Sequence, residues 1–522
     1  MARWTRRSVL KTVGAAGLVG CRPRGDTPGT VAGSPTGDTG PTTTGRPPNV
    51  VYVYSDQHRG PILGAFGHPT VRTPNLDGLA AASVSYPNMF TNSPLCRPAR
   101  ATMMTGRLPH THGCWNNDQL ADRDGPSHAR RILDEAGYLT AMIGKAHLTE
   151  PKGHPMDPDN VAALQAWGFA YTFELLSQIT CATKPNAYSD WLAENTPSGE
   201  RSKAERYADY VTKWELLGFP APDQPPYGLT TADHVDLWCG DLAAAWIRAY
   251  DDPRPFYLQV NFPGPHSPYD ATTEFRSLYD AAAAGFPTSI LGPPVEPVSP
   301  VVQWLWDMRP ELHGLTADQS RDLLLTYFAK VTLIDRAVGT VLAALDDAGL
   351  SDDTWVIYGS DHGDMLGDHE LWGKVAMYDG AVRTPLLVRP PGGTTPWTCD
   401  GAIDQLDVTA SILALCGLAP DGAGSSRVGQ WLGGPDAPDA QAGKDAVIAE
   451  VAAQPDGHLR TGMLRETRYK LVYDFDADRP VELYDLDADP DEVTNRILDP
   501  GLAPTVRAMQ DRLLDAIAAD HD

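Results

Sequence analysis

Val50-Val51-Tyr52-Val53-Tyr54, followed at once by Ser55-Asp56-Gln57, is the stretch on which the fold turns. Five apolar, β-branched or aromatic residues in a row read as a short strand buried on both faces, as strands are inside a parallel sheet. Three further runs repeat the pattern. Residues 138–143 lead into Gly144-Lys145-Ala146-His147, residues 255–261 into Pro263-Gly264-Pro265-His266, and residues 354–359 into Ser360-Asp361-His362-Gly363. Helical stretches stand between them, including residues 127–136, 233–250 and 320–348. Strands that alternate with helices predict an α/β fold with an open, mostly parallel sheet flanked by helices. In such sheets ligands bind outside the carboxyl ends of the strands.

Each polar residue at those ends has an ordinary reading on its own. A lone Asp after a strand is more often a helix cap, a lone Lys a solvated surface group, and a lone His a satisfied structural residue. Here two carboxylates, three histidines and a lysine fall at predicted strand ends of one sheet. Sheet geometry brings such ends together, so the joint occurrence points to a site.

The whole chain fits that picture. Its 522 residues exceed what one hydrophobic core sustains, which predicts two structural units. A hydrophobic fraction of 42% with 21% charged residues belongs to a globular chain that can bury a core. Lys plus Arg number 42 against 67 Asp plus Glu, a net charge of -25. That field repels nucleic-acid phosphates and anionic lipid, so no nucleic acid is expected as a partner. The seven cysteines are odd in number, widely spaced and without a CxxC pair, so at least one has a role other than pairing.

Cys96 is that cysteine. In Cys96-Arg97-Pro98-Ala99-Arg100, Pro98 pre-sets the first helical φ, and residues 99–105 continue a helix that Gly106 stops. Cys96 then sits just before a helix N-terminus, where free N–H groups and the dipole attract an anion. Arg100 adds a bidentate clamp for an oxyanion. Most free cysteines, by contrast, are small buried hydrophobes.

The Cys96-Arg97-Pro98-Ala99-Arg100 segment with Thr105-Gly106-Arg107 resembles the C-x-P-x-R signature of the sulfatase family, within the alkaline phosphatase superfamily. The resemblance extends to Gly144-Lys145-Ala146-His147, to the Pro-His-x-Pro segment at His266, to Gly359-Ser360-Asp361-His362-Gly363, to Gly373-Lys374, and to the closing stretch from Glu482 through Asn495. It covers nearly everything from Asn49 to Asn495. It implies an alkaline-phosphatase-like fold and conversion of Cys96 to formylglycine, whose aldehyde hydrates to a geminal diol. It further implies that Asp56, Asp361 and His362 ligate one divalent cation together with an oxygen of modified Cys96. By the same resemblance Asp361 helps deprotonate the attacking hydroxyl, and His147 deprotonates the second hydroxyl so that sulfate leaves. Lys145 and Arg100 balance charge around the nucleophile, while His266 and Lys374 face the ester oxygen, with His266 as general acid. The chemistry needs such a cluster: enzymes lower barriers by roughly 8–23 kcal/mol, and one preorganised donor supplies roughly 2.7–4 kcal/mol.

Two departures bear on specificity. The commonest arylsulfatases carry paired aspartates where this chain has Ser55-Asp56, and Asn where it has His362; the pattern here is similar to choline sulfatases and phosphonate monoester hydrolases. The resemblance implies calcium first, and a nitrogen ligand, which suits a transition metal better than a hard cation, puts manganese close behind. Trp115, Trp304, Trp306 and Trp372 fall in segments that could line a pocket mouth as a cage for a quaternary ammonium, although packing under loops is the commoner fate of such residues.

Downstream, residues 385–388 read as a strand and 404–416 as a helix, with a Gly/Ala/Asp/Pro-rich loop over 417–444. Residues 462–475 and 480–486 read as antiparallel strands and 503–518 as a helix. This predicts a catalytic domain over 47–417 and a smaller antiparallel sheet plus helix over 418–522. At the other end, Thr5-Arg6-Arg7-Ser8-Val9-Leu10-Lys11 and a weakly apolar stretch resemble a twin-arginine export signal over 1–21, and Leu18-Val19-Gly20-Cys21 resembles a lipobox. Residues 22–46 hold six Gly, four Pro, seven Thr and one Ser. That is a flexible tether with an end-to-end distance of roughly 30 Å. The expected localisation is exported, periplasmic or at the cell surface, lipid-anchored at Cys21. The expected partners are a small-molecule or glycan sulfate ester, a formylglycine maturation enzyme and the twin-arginine export machinery.

Three functions compete on this reading: a sulfuric ester hydrolase, a phosphonate monoester or phosphodiester hydrolase on the same scaffold, and a non-catalytic binder of sulfated ligands. Retention of Cys96, Lys145, His147 and His266 together favours a hydrolase.

Overall fold

The computed structural model describes residues 46–121, 127–217, 227–279, 292 and 298–519. The export signal, the lipobox at Cys21 and the tether therefore lie outside the described residues, apart from Arg46. Among the described residues no helix is long and apolar enough to cross a membrane.

In chain order the strands of the large sheet are β1 (Asn49–Asp56), β2 (Val84–Phe90), β3 (Leu139–Gly144), β4 (Tyr171–Glu174), β5 (Phe256–Pro265), β6 (Thr354–Ser360), β7 (Arg383–Arg389), β8 (Trp397–Thr398) and β9 (Ile403–Asp404). They lie in the order β4-β3-β5-β1-β6-β7-β2-β8, with β9 beside β2. The five strands from β4 to β6 are mutually parallel, so their carboxyl ends form one row. The expected mostly parallel sheet is thus found, with an exception: β7 runs antiparallel to both β6 and β2.

All eight residues of β1 are buried, as a strand covered on both faces must be. Successive side chains alternate between the faces. Val51 and Val53 point into a core with α2 (Val235–Arg248) and α3 (Ala317–Asp347), whereas Val50, Tyr52 and Tyr54 enter the opposite core with α1 (Cys96–Thr105) and α4 (Gln405–Leu415).

A second, four-stranded antiparallel sheet is built of β10 (Ala446–Ala452), β11 (Arg460–Glu466), β12 (Tyr469–Asp474) and β13 (Arg479–Asp485), in that order. One face, with Val447, Ala449, Met463 and Val472, packs on Phe90, Leu95, Met365 and Met377 of the main body. The other face, with Leu464, Leu471 and Leu483, is covered by Val506, Met509 and Leu513 of α5 (Ala503–Ala519). The expected small sheet plus helix is present, and its first strand, β10, lies in residues between the expected loop and the expected strands, where the sequence reading placed no element.

Candidate active site

The row of strand ends delivers its polar residues to one place. Asp56 closes β1, Asp361 and His362 follow β6, Lys145 and His147 follow β3, and His266 follows β5. Lys145 is set by a close approach: Gly144, at φ +112°, lies so near β5 that a Cβ there would stand 2.0 Å from the Asn261 carbonyl oxygen. That absence of a side chain lets the Lys145 N–H donate to the same oxygen at 2.8 Å.

Cys96 is the first residue of α1 rather than the residue before it. Leu95, at the N-cap, contributes no side-chain hydrogen bond, and the Arg97 N–H is capped instead by Asn117 Oδ1 at 3.0 Å. The Cys96 thiol lies 3.6 Å from Asp56 Oδ1, 3.3 Å from His362 Nε2 and 2.8 Å from Lys374 Nζ. One potential ligand atom from each of Asp56, Cys96, Asp361 and His362 falls within 4.8 Å of the others, and all four residues are buried. His362 Nδ1 faces the Gly363 carbonyl oxygen at 2.9 Å. A carbonyl only accepts, so Nδ1 carries the proton and the Nε2 lone pair is turned to the cluster. Two carboxylates and an imidazole nitrogen converging in this way suit one divalent cation.

The thiol is strongly perturbed. Burial alone pushes it up, but Lys145, Lys374, His362 and His147 outweigh burial and hold it well below the ordinary value. Burial and the Cys96 charge likewise raise the Asp56 carboxyl, and Lys145, His266 and Arg100 bring it below the usual carboxylate range. His147 goes the other way: burial takes its imidazole down to about 4 against the pull of its bond with Cys96. It is therefore neutral at neutral pH, with its Nδ1 unpartnered.

Arg100 departs from expectation. Its Nε donates to Asp361 Oδ2 at 3.0 Å, its Nη2 lies 3.3 Å from Asp56 Oδ2, and its Nη1 donates to the Lys145 carbonyl oxygen. A guanidinium spent on two carboxylates and a carbonyl, in a residue 1% exposed, has no fork left to clamp an incoming oxyanion. It ties the two carboxylates to the turn that carries Lys145 instead, and helps hold Asp56 below the usual carboxylate range.

A cavity of about 230 Å³ opens on the cluster, lined by Cys96, Lys145, His147 and His266 among others. It also brings in residues for which the sequence reading had no role: Arg97, Asn117, Glu150, Glu174 and Lys184. Arg97 ties the walls together, with Nη1 on the Asn117 carbonyl oxygen, Nη2 on Glu150 and Nε 3.3 Å from the His147 carbonyl oxygen. Glu174 had a signal of the same kind as the others. It ends a strand of the parallel row, but that strand has only four residues and was not recognised. Trp115, Trp304, Trp306 and Trp372 do not line the cavity. Trp115 packs edge-on against Phe475, and Trp306 stacks on His313.

The matches with known proteins agree with this geometry. The family model described as Sulfatase matches residues 48–418, and a second, described as the C-terminal part of N-sulphoglucosamine sulphohydrolase, matches residues 367–519. A choline-sulfatase of Rhizobium meliloti is 29% identical over 482 residues, covering 91% of this chain and 87% of that protein. An ulvan-active sulfatase of Formosa agariphila is 27% identical, covering 86% of this chain and 76% of its own length. Among solved structures, the phosphonate monoester hydrolase of Agrobacterium radiobacter aligns at a TM-score of 0.73 and 23% identity over 91% of this chain and 96% of that one, a likeness of fold. Since the first family model alone spans the whole large sheet and every side chain that meets Cys96, the chain belongs to the sulfatase family of hydrolases.

Proposed function

We propose that this protein hydrolyses sulfate monoesters, with residue 96 as nucleophile after its conversion to formylglycine. One observation carries the reading: the Cys96 side chain sits at the centre of the buried Asp56, Asp361 and His362 set, with Lys374 Nζ 2.8 Å away. In the matured enzyme the Sγ position marks an oxygen of the aldehyde hydrate, whose two hydroxyls on one carbon serve as nucleophile and as the group that later expels sulfate. Asp56, Asp361 and His362, with that oxygen, would hold one divalent cation, calcium first and manganese second, which polarises the sulfuryl oxygens.

The chain's own side chains do the rest. Lys374 and Lys145 hold the anionic sulfuryl group against residue 96 and offset the charge that develops there. Arg100 positions Asp56 and Asp361 and helps keep Asp56 ionised. Asp361 receives the proton of the attacking hydroxyl. His147, neutral through burial, takes the proton of the second hydroxyl, and His266 delivers one to the departing ester oxygen. Residues 47–417 form the catalytic unit and 418–522 the smaller one, the second buttressing the Lys374 loop: Lys470 Nζ lies 2.5 Å from Asp379 Oδ1 and 3.0 Å from the Met377 carbonyl oxygen. Residues 1–21 act as a twin-arginine leader with lipidation at Cys21, so that the folded enzyme is exported and tethered by residues 22–46 after meeting a formylglycine maturation enzyme.

A phosphonate monoester or phosphodiester hydrolase is the second reading, favoured by a nitrogen ligand at His362 and by the single carboxylate at Ser55-Asp56. The test has two parts. Mass spectrometry of the residue-96 peptide, from a host with the maturation system, is expected to show the aldehyde; an intact thiol in folded, metal-loaded protein would overturn the mechanism. Turnover of nitrophenyl sulfate is expected to exceed that of the phenylphosphonate analogue, and the reverse order selects the second reading.

A further inference from the structure

All five strands of the parallel row β4-β3-β5-β1-β6 end in or lead directly into polar residues, and those of four strands belong to the mechanism. The fifth strand, β4, ends in Glu174. It pairs across the sheet with Gly144, and the Leu175 N–H donates to the Gly144 carbonyl oxygen at 2.9 Å. Glu174 thus stands beside the turn that carries Lys145 and His147. It is 2% exposed and lines the cavity that opens on Cys96. Its carboxyl accepts a hydrogen bond from the His147 N–H, yet Oε2 has no partner. A buried acceptor left empty costs about 1–3 kcal/mol, a cost a ligand can relieve.

We infer that Glu174 is the specificity-determining residue of this site: it hydrogen-bonds a hydroxyl of the alcohol half of the ester, so the leaving group is a compact polyhydroxy alcohol, a single sulfated sugar unit. The inference rests on the sulfatase reading above and deepens it. Three observations support this class over aryl or quaternary-ammonium alcohols. The cavity, at about 230 Å³, lies below the roughly 300–1,000 Å³ of drug-sized pockets, which suits one ring. No Phe, Tyr or Trp is among the described residues lining it; its carbon walls are Pro151, Leu175 and Leu176. A quaternary ammonium wants an aromatic cage or a full negative charge, and an aryl ring wants flat apolar walls. Burial, reinforced by nearby Glu150, raises the Glu174 carboxyl to about 8. A neutral carboxyl both donates and accepts, as a hydroxyl does.

The test compares glucose 6-sulfate, galactose 6-sulfate and N-acetylglucosamine 6-sulfate with choline sulfate and nitrophenyl sulfate, using matured wild type, Glu174→Leu, Glu174→Met and Glu174→Gln. Wild type is expected to favour at least one sugar sulfate over choline sulfate by tenfold or more in kcat/KM. Glu174→Leu and Glu174→Met lower that value roughly 10- to 100-fold, mainly through KM, and leave nitrophenyl sulfate within threefold. Glu174→Gln, which keeps a donor and an acceptor, recovers most of the sugar activity. Equal losses on sugar and nitrophenyl esters in both apolar variants would reduce Glu174 to a structural role and overturn the inference, as would a wild-type preference for choline sulfate. A matured wild type that turns over nitrophenyl sulfate but none of the sugar sulfates overturns the inference alone, whereas one that releases sulfate from nothing in the panel overturns the sulfatase reading beneath it.

Discussion

Two clusters of buried charge meet the carboxyl end of the large sheet. At the first, Asp56, Asp361, His362, Arg100, Lys145 and Lys374 surround Cys96 and open on a cavity. At the second, Lys330 of α3 pairs with Asp270 and, at 2.9 Å, with Asp236 of α2, while His234 Nε2 lies 3.4 Å from Asp270 Oδ1. All four of these residues are wholly buried. Burial pushes the Asp270 carboxyl up, and Lys330 and His234 more than reverse it. Gly264 of β5 seals that cluster: its N–H donates to Asp236 Oδ1 at 2.8 Å, and a Cβ there would meet Lys330 Cε at 2.6 Å. Buried, shifted titratable groups occur at both places, so they do not by themselves mark a catalytic centre. The difference is that the closed cluster has spent its cation on its own carboxylates. The open one pairs Lys145 with Asp56 but keeps Lys374 directed at the Cys96 side chain, 2.8 Å away.

The cysteines sharpen the same point. Cys114, Cys181, Cys239, Cys399 and Cys416 are buried as Cys96 is, and burial raises each of their thiols. Among the described cysteines, only at Cys96, near Lys145 and Lys374, is the direction reversed.

The largest expected effect is that of Cys96→Ala, which should lower sulfate release from nitrophenyl sulfate by roughly 10⁴-fold or more, measured alongside an unchanged melting temperature. Chelation of the bound cation should cost roughly 10²–10³-fold; readdition of calcium or manganese restores the rate, and whichever restores more identifies the resident ion. The two lysines then separate the clusters. Lys330→Met leaves carboxylates buried and unpaired and should cost about 3–5 kcal/mol in urea titration. Lys374→Met should cost about 1 kcal/mol while lowering kcat/KM by roughly 10²-fold or more. Equal stability losses would erase the contrast between open and closed clusters.

The last effect is on pH and leaves activity aside. In the unfolded chain the Glu174 carboxyl ionises at its ordinary value of 4.5, and in the fold only near 8. The protein therefore loses stability as the pH rises between the two. Glu174→Gln does not titrate, so its melting temperature should match the wild type near pH 4.5 and exceed it by pH 8. The gain corresponds to up to about 4 kcal/mol, with His147 and Glu150 as the neighbouring groups. A difference that stays constant across that range would show that Glu174 is not held protonated.

Much of the site was legible because its residues follow apolar runs. A strand such as Val50 to Tyr54 announces itself by composition, and what comes next must lie at its end. The strands that escaped notice lack that signal. β4 has four residues, and β2 contains Pro87 and a register shift between Tyr86 and Met89. Its neighbours in the sheet, β7 and β8, are hundreds of residues away, a pairing no local window contains. The tryptophans failed for a similar reason, since a cage depends on where loops fold.

From the sequence alone came the family, the parallel row of strands and the identity of the side chains at Asp56, Cys96, Lys145, His147, His266, Asp361, His362 and Lys374, because strand propensity and the C-x-P-x-R segment are local properties. Which way those side chains spend their hydrogen bonds was decided only in three dimensions. Arg100 turned to the carboxylates because two anions packed against it in a dry interior, and Glu174 entered the cavity because β4 aligned beside β3. Burial and neighbouring charge are sums over the whole fold, and no stretch of chain carries them by itself.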